Sequence, residues 1–209
     1  MSKKLFIVGA GGLGRELHSW IQQHPDFNRD YSFSGFLDDN PDALKPFGNF
    51  APVLPIVGHQ VSADSVYLCG IGIPSMKIKL LSSLINSRAS FISFIHPSSV
   101  VGERIKIGQG VIVCPGVSIS ADITIGSYSM IGPNTTIGHD AIIGEWCTLC
   151  AQCDITGHVV VGSAVFMGSR ASIIPGKKIG SESIIGAGAV VITDVPSQVT
   201  VVGNPARIL

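Results

Sequence analysis

The chain has 209 residues, 45% of them hydrophobic, which is enough for more than one compact unit with an ample core. Fourteen Lys and Arg balance fourteen Asp and Glu, so there is no basic footprint of the kind that nucleic acid or an acidic membrane surface would need. The first apolar run, Leu5 to Val8, ends at Gly9 and is too short for a signal-peptide core or a membrane span, so a cytoplasmic location is expected.

Leu5 to Val8 predicts a strand, Gly9-Ala10-Gly11-Gly12-Leu13-Gly14 a glycine turn, and the amphipathic stretch from Arg15 to about Gln23 a helix. That order presents backbone N–H groups and a helix N-terminus to a phosphate. A second strand, Tyr31 to Leu37, runs into Asp38-Asp39, and a third apolar run, Ser65 to Ile71, closes with Gly72 before a helix predicted from Ser75 to Asn86. Residues 1–92 therefore predict a small α/β unit that looks like the mononucleotide-binding half of a Rossmann fold. The spacing Gly9-x-Gly11-x-x-Gly14 matches the dinucleotide fingerprint, and Asp38 stands about where a ribose-binding acid would. Nothing after residue 95 supplies the second half, so a nucleoside diphosphate fits better than NAD; a tight glycine turn without a ligand is the competing reading. Gly11, Gly12, Leu13, Asp38, Asp39 and Gly72 are the candidate substrate contacts.

From Ile95 to Val191 every sixth residue is a large aliphatic. A helix repeats every 3.6 residues and a strand every two, so a strict six predicts a solenoid in which each hexad forms one side of a coil, here residues 93–196. The slot after the aliphatic is mostly Gly, which suits a corner that visits positive φ or lies close to the next coil. The fifth slot, with Ser99, Val111, Thr135, Ala141 and Val165, reads as a second inward position, and the polar third and fourth slots point outward. Residues 197–209 read as a C-terminal tail. Cys147, Cys150 and Cys153 form a C-x2-C-x2-C run, but two fall in the inward slot and one in the corner slot, so their directions do not converge on an ion and they read as structural. Lys177 is an unexplained charge in an inward slot, placed there by letting its stem pack while the amine escapes.

The hexads resemble those of the hexapeptide-repeat acyltransferases, whose units stack three to a turn. That resemblance implies a left-handed parallel β-helix after the α/β domain, although the general crossover rule would favour the right hand. Gly-Ala-Gly-Gly-Leu-Gly-Arg-Glu at 9–16, Phe-Leu-Asp-Asp at 36–39, Ile-His-Pro at 95–97, Ile-Gly-His-Asp at 137–140 and Gly-Asn-Pro-Ala-Arg at 203–207 together look like the sialic-acid O-acetyltransferase and bacillosamine or perosamine N-acetyltransferase family. The likeness spans essentially the whole chain. It implies acetyl transfer from acetyl-CoA to the amino group of a nucleotide-activated sugar, with His139 as general base, Asp140 raising its basicity and the Gly157 N–H as oxyanion donor. It assigns further acetyl-CoA contacts to Thr148, Ser169 and Ala187, and no metal is expected. Thr148 stands where the bacillosamine members usually carry a histidine, Leu13 replaces a histidine of the glycine loop, and Gly132 replaces an asparagine before the base, so the sugar itself is not carried over.

His158, nineteen residues after His139, is expected near it on the next coil as a neighbour of the acceptor, and His96 in a corner slot reads as structural. A γ-class carbonic anhydrase would use the same solenoid, but it pairs two zinc-binding histidines five residues apart, and none of His18, His24, His59, His96, His139 and His158 are so spaced. A serine- or maltose-type acetyltransferase, an O-acetyltransferase on a sialic acid-type acceptor and a non-catalytic nucleotide-sugar binder are the other readings. Because His139 and Asp140 lie on an outer wall with no inserted loop, a homotrimer with active sites between subunits is expected.

Overall fold

The computed structural model describes residues 2–209, which divide between Ser93 and Phe94 into two compact units. The first holds β1 (Lys3–Val8), α1 (Gly12–Gln22), α2 (Pro25–Asp30), β2 (Tyr31–Leu37), β3 (Val53–Leu54), β4 (Ser65–Cys69), α3 (Pro74–Asn86) and β5 (Ser90–Phe91). Its sheet is parallel throughout, in the order β3-β2-β1-β4-β5. β4 is buried along its whole length and β1 from Leu5 onward, as expected of parallel strands covered on both faces. α1 buries Gly14, Leu17 and Ile21 and α3 buries Lys77, Leu81 and Leu84, one stripe on each helix. β2 lies on one side of β1 and β4 on the other, which puts the topological switch point at the carboxyl end of β1, where ligands of open α/β sheets bind. The three principal strands and both long helices match the sequence expectation. The two-residue strands β3 and β5 and the short α2 were not foreseen, since such pieces carry no measurable periodicity.

The second unit is a left-handed parallel β-helix of two-residue strands, from β6 (Phe94–Ile95) through β22 (Val190–Val191). Parallel partners are eighteen residues apart, as in Ser118 with Thr136 and Thr136 with Asp154, so three hexads make one coil. Three walls result. Wall I carries Phe94, Ile112, Met130, Thr148, Phe166 and Ile184 in its outward slots, wall II Val100, Ser118, Thr136, Asp154, Ser172 and Val190, and wall III Lys106, Thr124, Ile142, Val160 and Lys178. The aliphatic slots from Val113 to Val191 are buried, whereas Val101, in the first coil, is 37% exposed, because an end coil is covered by coil neighbours on one side only. At the other end β23 (Thr200–Val202) pairs parallel with Ile184–Ile185 and then antiparallel with β24 (Arg207–Ile208). Residues 197–209, read from sequence as a tail, thus continue wall I and cover its last edge.

Positive φ falls in the fourth slot, at residues such as Asp122, Asn134, Asp140, Gln152 and His158, not at the second-slot glycines. Those glycines are needed for close approach: a Cβ at Gly138 would lie 2.6 Å from the Gly157 nitrogen of the next coil. Small polar residues in the fifth slot satisfy corner carbonyls of the next coil. Ser129 donates to Gly144 O at 2.8 Å, Thr135 to Cys150 O at 3.1 Å, Cys147 to Gly162 O at 3.0 Å and Cys153 to Gly168 O at 3.3 Å. The two cysteines therefore do the work of serine and threonine, and burial pushes the Cys153 thiol up to about 12.

Candidate active site

His139 and Asp140 form the corner between walls II and III, just after the strand Thr136–Ile137. Asp140 adopts φ 59°, a left-handed geometry that Asp tolerates better than most residues. The turn brings its Oδ2 to 2.8 Å from His139 Nδ1. An ionised carboxylate can only accept, so this contact keeps the proton on Nδ1 and leaves Nε2 with its lone pair. The frame is fixed by the coil: Asp140 N donates to Ala121 O at 3.1 Å and His158 N to His139 O at 2.9 Å. His158 sits on the next coil as foreseen, its ring edge-on to that of His139 at 4.9 Å and its Nδ1 3.8 Å from Asp140 Oδ2. The side chains of His139, Asp140 and His158 are 58%, 48% and 63% exposed, so this corner of the chain is open to solvent.

Gly157 lies directly against the His139 ring. A Cβ there would be 2.8 Å from both Cε1 and Nε2 of His139, so only glycine leaves the ring its place. The Gly157 carbonyl accepts from Gly176 N at 3.0 Å, while its N–H takes no part in the backbone hydrogen bonds between coils. The remaining predicted acetyl-CoA contacts lie elsewhere on the coil. Ser169 and Ala187 are exposed and stacked on the corner between walls I and II, and Thr148 is in wall I, 1% exposed, with a hydroxyl that has no partner. One chain therefore brings His139, Asp140 and Gly157 together and leaves Ser169, Ala187 and Thr148 apart from them. His96, read as structural, holds its own turn through Nδ1, to which Ser98 N donates at 3.1 Å.

In the α/β unit the six predicted substrate contacts, Gly11, Gly12, Leu13, Asp38, Asp39 and Gly72, all line one cavity of about 390 Å³. Gly9 makes the turn at φ +97°, and a Cβ at Gly14 would fall 1.9 Å from Gly9 O, so these two glycines serve the backbone. Gly11 and Gly12 have open space where a Cβ would be. They stand at the N-terminus of α1, which no side chain caps, so its first N–H groups are left for an anion. Asp38 is already committed: Oδ2 accepts from Ala10 N at 2.8 Å and Oδ1 from Asn40 N at 2.9 Å. Asp39 uses Oδ1 for Ile56 N at 2.9 Å and Val57 N at 3.2 Å. Sequence reasoning missed the apolar side of this cavity, formed by Ile56, Ile71, Ile73, Met76 and Leu80. The i, i+4 pair Met76 and Leu80 was a usable signal, but it reads like any core-facing helix stripe.

Residues 4–84 match the PglD N-terminal domain and residues 122–157 the bacterial transferase hexapeptide, six repeats. The GDP-perosamine N-acetyltransferase of Escherichia coli O157:H7 is 33% identical over 219 aligned residues, 96% of this chain and 94% of that protein. The structure of PerB from Caulobacter crescentus in complex with CoA and GDP-perosamine is 29% identical with a TM-score of 0.85, covering 99% of this chain and 97% of that one. WeeI from Acinetobacter baumannii AYE is 28% identical with a TM-score of 0.85, over 98% and 99% of the two chains.

Proposed function

Because the chain belongs to the sialic-acid O-acetyltransferase and bacillosamine or perosamine N-acetyltransferase family of hexapeptide-repeat proteins, we propose that it transfers the acetyl group of acetyl-CoA to the amino group of a nucleotide-activated amino sugar. The observation that carries the chemistry is the stacking of His139 and Asp140 on Gly157 across two coils. The acceptor nitrogen attacks the thioester carbonyl and must lose a proton as the tetrahedral intermediate forms. The Nε2 lone pair of His139 accepts it, a contribution of about 10²- to 10⁴-fold, and the charge left on the imidazolium is favoured by Asp140 on Nδ1. The Gly157 N–H donates to the oxyanion, a role typically worth about 3 kcal/mol. Collapse of the intermediate breaks the C–S bond, and the departing thiolate takes a proton back.

The cavity of the α/β unit receives the nucleotide, with its phosphates at the N-terminus of α1 and its ribose toward Asp39, whose Oδ2 is not used by the fold. Acetyl-CoA runs past the exposed Ser169 and Ala187, whereas Thr148, expected from the family likeness to contact it, is buried and offers it no surface. Since Ser169 and Ala187 occupy a different corner from His139, the reading requires a neighbouring chain to bring the two corners together, hence a homotrimer with intersubunit sites. The reaction is placed in the cytoplasm, in keeping with five free cysteines. Among the described residues no helix is long and apolar enough to cross a membrane.

His139→Ala should fold normally, because the side chain is exposed, and should lose at least about a hundredfold in kcat. Turnover near that of the wild type would overturn the base assignment. Thermal shifts with UDP-, dTDP-, GDP- and CMP-sugars in the presence of CoA would identify the acceptor.

A further inference from the structure

We propose that His139, Asp140 and His158 form a binding site for Zn²⁺, and that the bound ion holds the enzyme inactive. Each of the three offers one ligand atom, and these atoms all lie within 4.8 Å of one another. A zinc ion with bonds of about 2.0–2.2 Å needs its ligand atoms roughly 3.3–3.5 Å apart in a tetrahedral site. The contacts present bracket that spacing: Asp140 Oδ2 is 2.8 Å from His139 Nδ1 and 3.8 Å from His158 Nδ1. All three side chains are about half exposed or more and free to make small rotamer adjustments, while their backbones are fixed by the His158 N to His139 O bond of 2.9 Å.

Two imidazoles and one carboxylate suit Zn²⁺ or Co²⁺ rather than the oxygen-seeking Mg²⁺ and Ca²⁺. Three protein ligands leave a fourth position for water. Arg104, in the same corner column, does not compete, because Asp122 binds its guanidinium with both oxygens at 2.6 and 2.8 Å. The binding site stands on this geometry alone. The inhibition rests on the proposed role of His139: a ring tied into a metal site is no longer placed to accept the acceptor's proton.

The test uses the full-length protein stripped of metal, titrated with Co²⁺ by its visible d–d absorption and with Zn²⁺ by calorimetry. One ion per chain is expected, with affinity lowered at least about tenfold in His158→Asn, given that even outer-shell changes at metal sites cost 10–100-fold. Asn is chosen because position 158 has φ 59°, which Asn accommodates. A protein that binds no ion, or whose His158→Asn and Asp140→Asn variants bind like the wild type, overturns the site. Zn²⁺ should abolish acetyl transfer and EDTA restore it; an ion bound through His158 that leaves turnover unchanged overturns the inhibitory role. Full turnover in His139→Ala would instead defeat the base assignment, and with it the inhibition, while the wild-type isotherm still decides the site.

Discussion

A methyl group at position 157 would lie 2.8 Å from the edge of the His139 ring, yet the backbone there is not left-handed and accepts an L side chain without strain. Alanine must therefore act through the ring and not through the fold. Gly157→Ala is expected to melt close to the wild type while kcat falls on the order of a hundredfold, the scale of loss that a displacement of about 1 Å can cause. An unchanged kcat would show that the ring does not hold its place over Gly157 during turnover. Asp38 and Asp39 separate in the same way. Asp38→Ala removes the acceptor of the Ala10 N–H and should lower thermal stability together with sugar-nucleotide affinity. Asp39→Asn keeps an oxygen for Ile56 and Val57 and should raise only the KM for the sugar nucleotide, with that for acetyl-CoA unchanged. Equal rises in both KM values would make Asp39 a structural residue.

Among the elements, α1 carries both the anion-facing turn and a titratable group. His18 packs against Phe33, Phe36 and Phe50 with ring centroids 4.4, 5.8 and 5.3 Å away, and burial holds its pKa below the usual 6.5. His59, half-buried beside Phe6 and within 3.0 Å of the Tyr67 hydroxyl, is lowered for the same reason, partial desolvation. Both histidines are neutral in the folded and unfolded states above about pH 6.5. As the pH falls through that value the unfolded chain binds protons first, so the α/β unit loses stability until the lower folded pKa values are passed. The hydrogen-exchange protection factors of β1 and β4, taken against the intrinsic rates at each pH, should fall over this range, and His18→Phe should remove part of the effect. An acid limb identical in that variant would rule out the half-buried imidazole of His18 as its cause.

For the molecule as a whole, the proposed site draws on two separate corners, that of His139 and that of Ser169 and Ala187, and so makes a sharp demand on assembly. If each site combines two chains, a His139→Ala chain and an Ala187→Trp chain, each inactive alone, should regain activity when co-expressed as mixed trimers. Sites that pair an intact His139 corner with an intact Ala187 corner supply it. Light scattering should report three chains per particle. Mixed oligomers as inactive as their parents, or a fully active monomer, would place the whole site within one chain.

The six-residue period determined the coil, its walls and the outward slots of His139 and Asp140, because a solenoid repeats one local environment and its pattern survives in one dimension. Strand, glycine turn and acidic strand end likewise located the cavity of the α/β unit, since each is a local backbone requirement. What lay beyond the sequence depends on contacts between coils or across turns. Positive φ belongs to the fourth slot and close approach to the glycines, a distinction set by the neighbouring coil eighteen residues away. The carboxylate oxygens of Asp38 are taken up by the Ala10 and Asn40 amides, which composition alone cannot reveal. The reach of Asp140 toward both His139 and His158, and the distance of that corner from Ser169 and Ala187, were likewise decided only when the coils stacked. Residues one hexad apart in the chain point from different walls, whereas those three hexads apart touch.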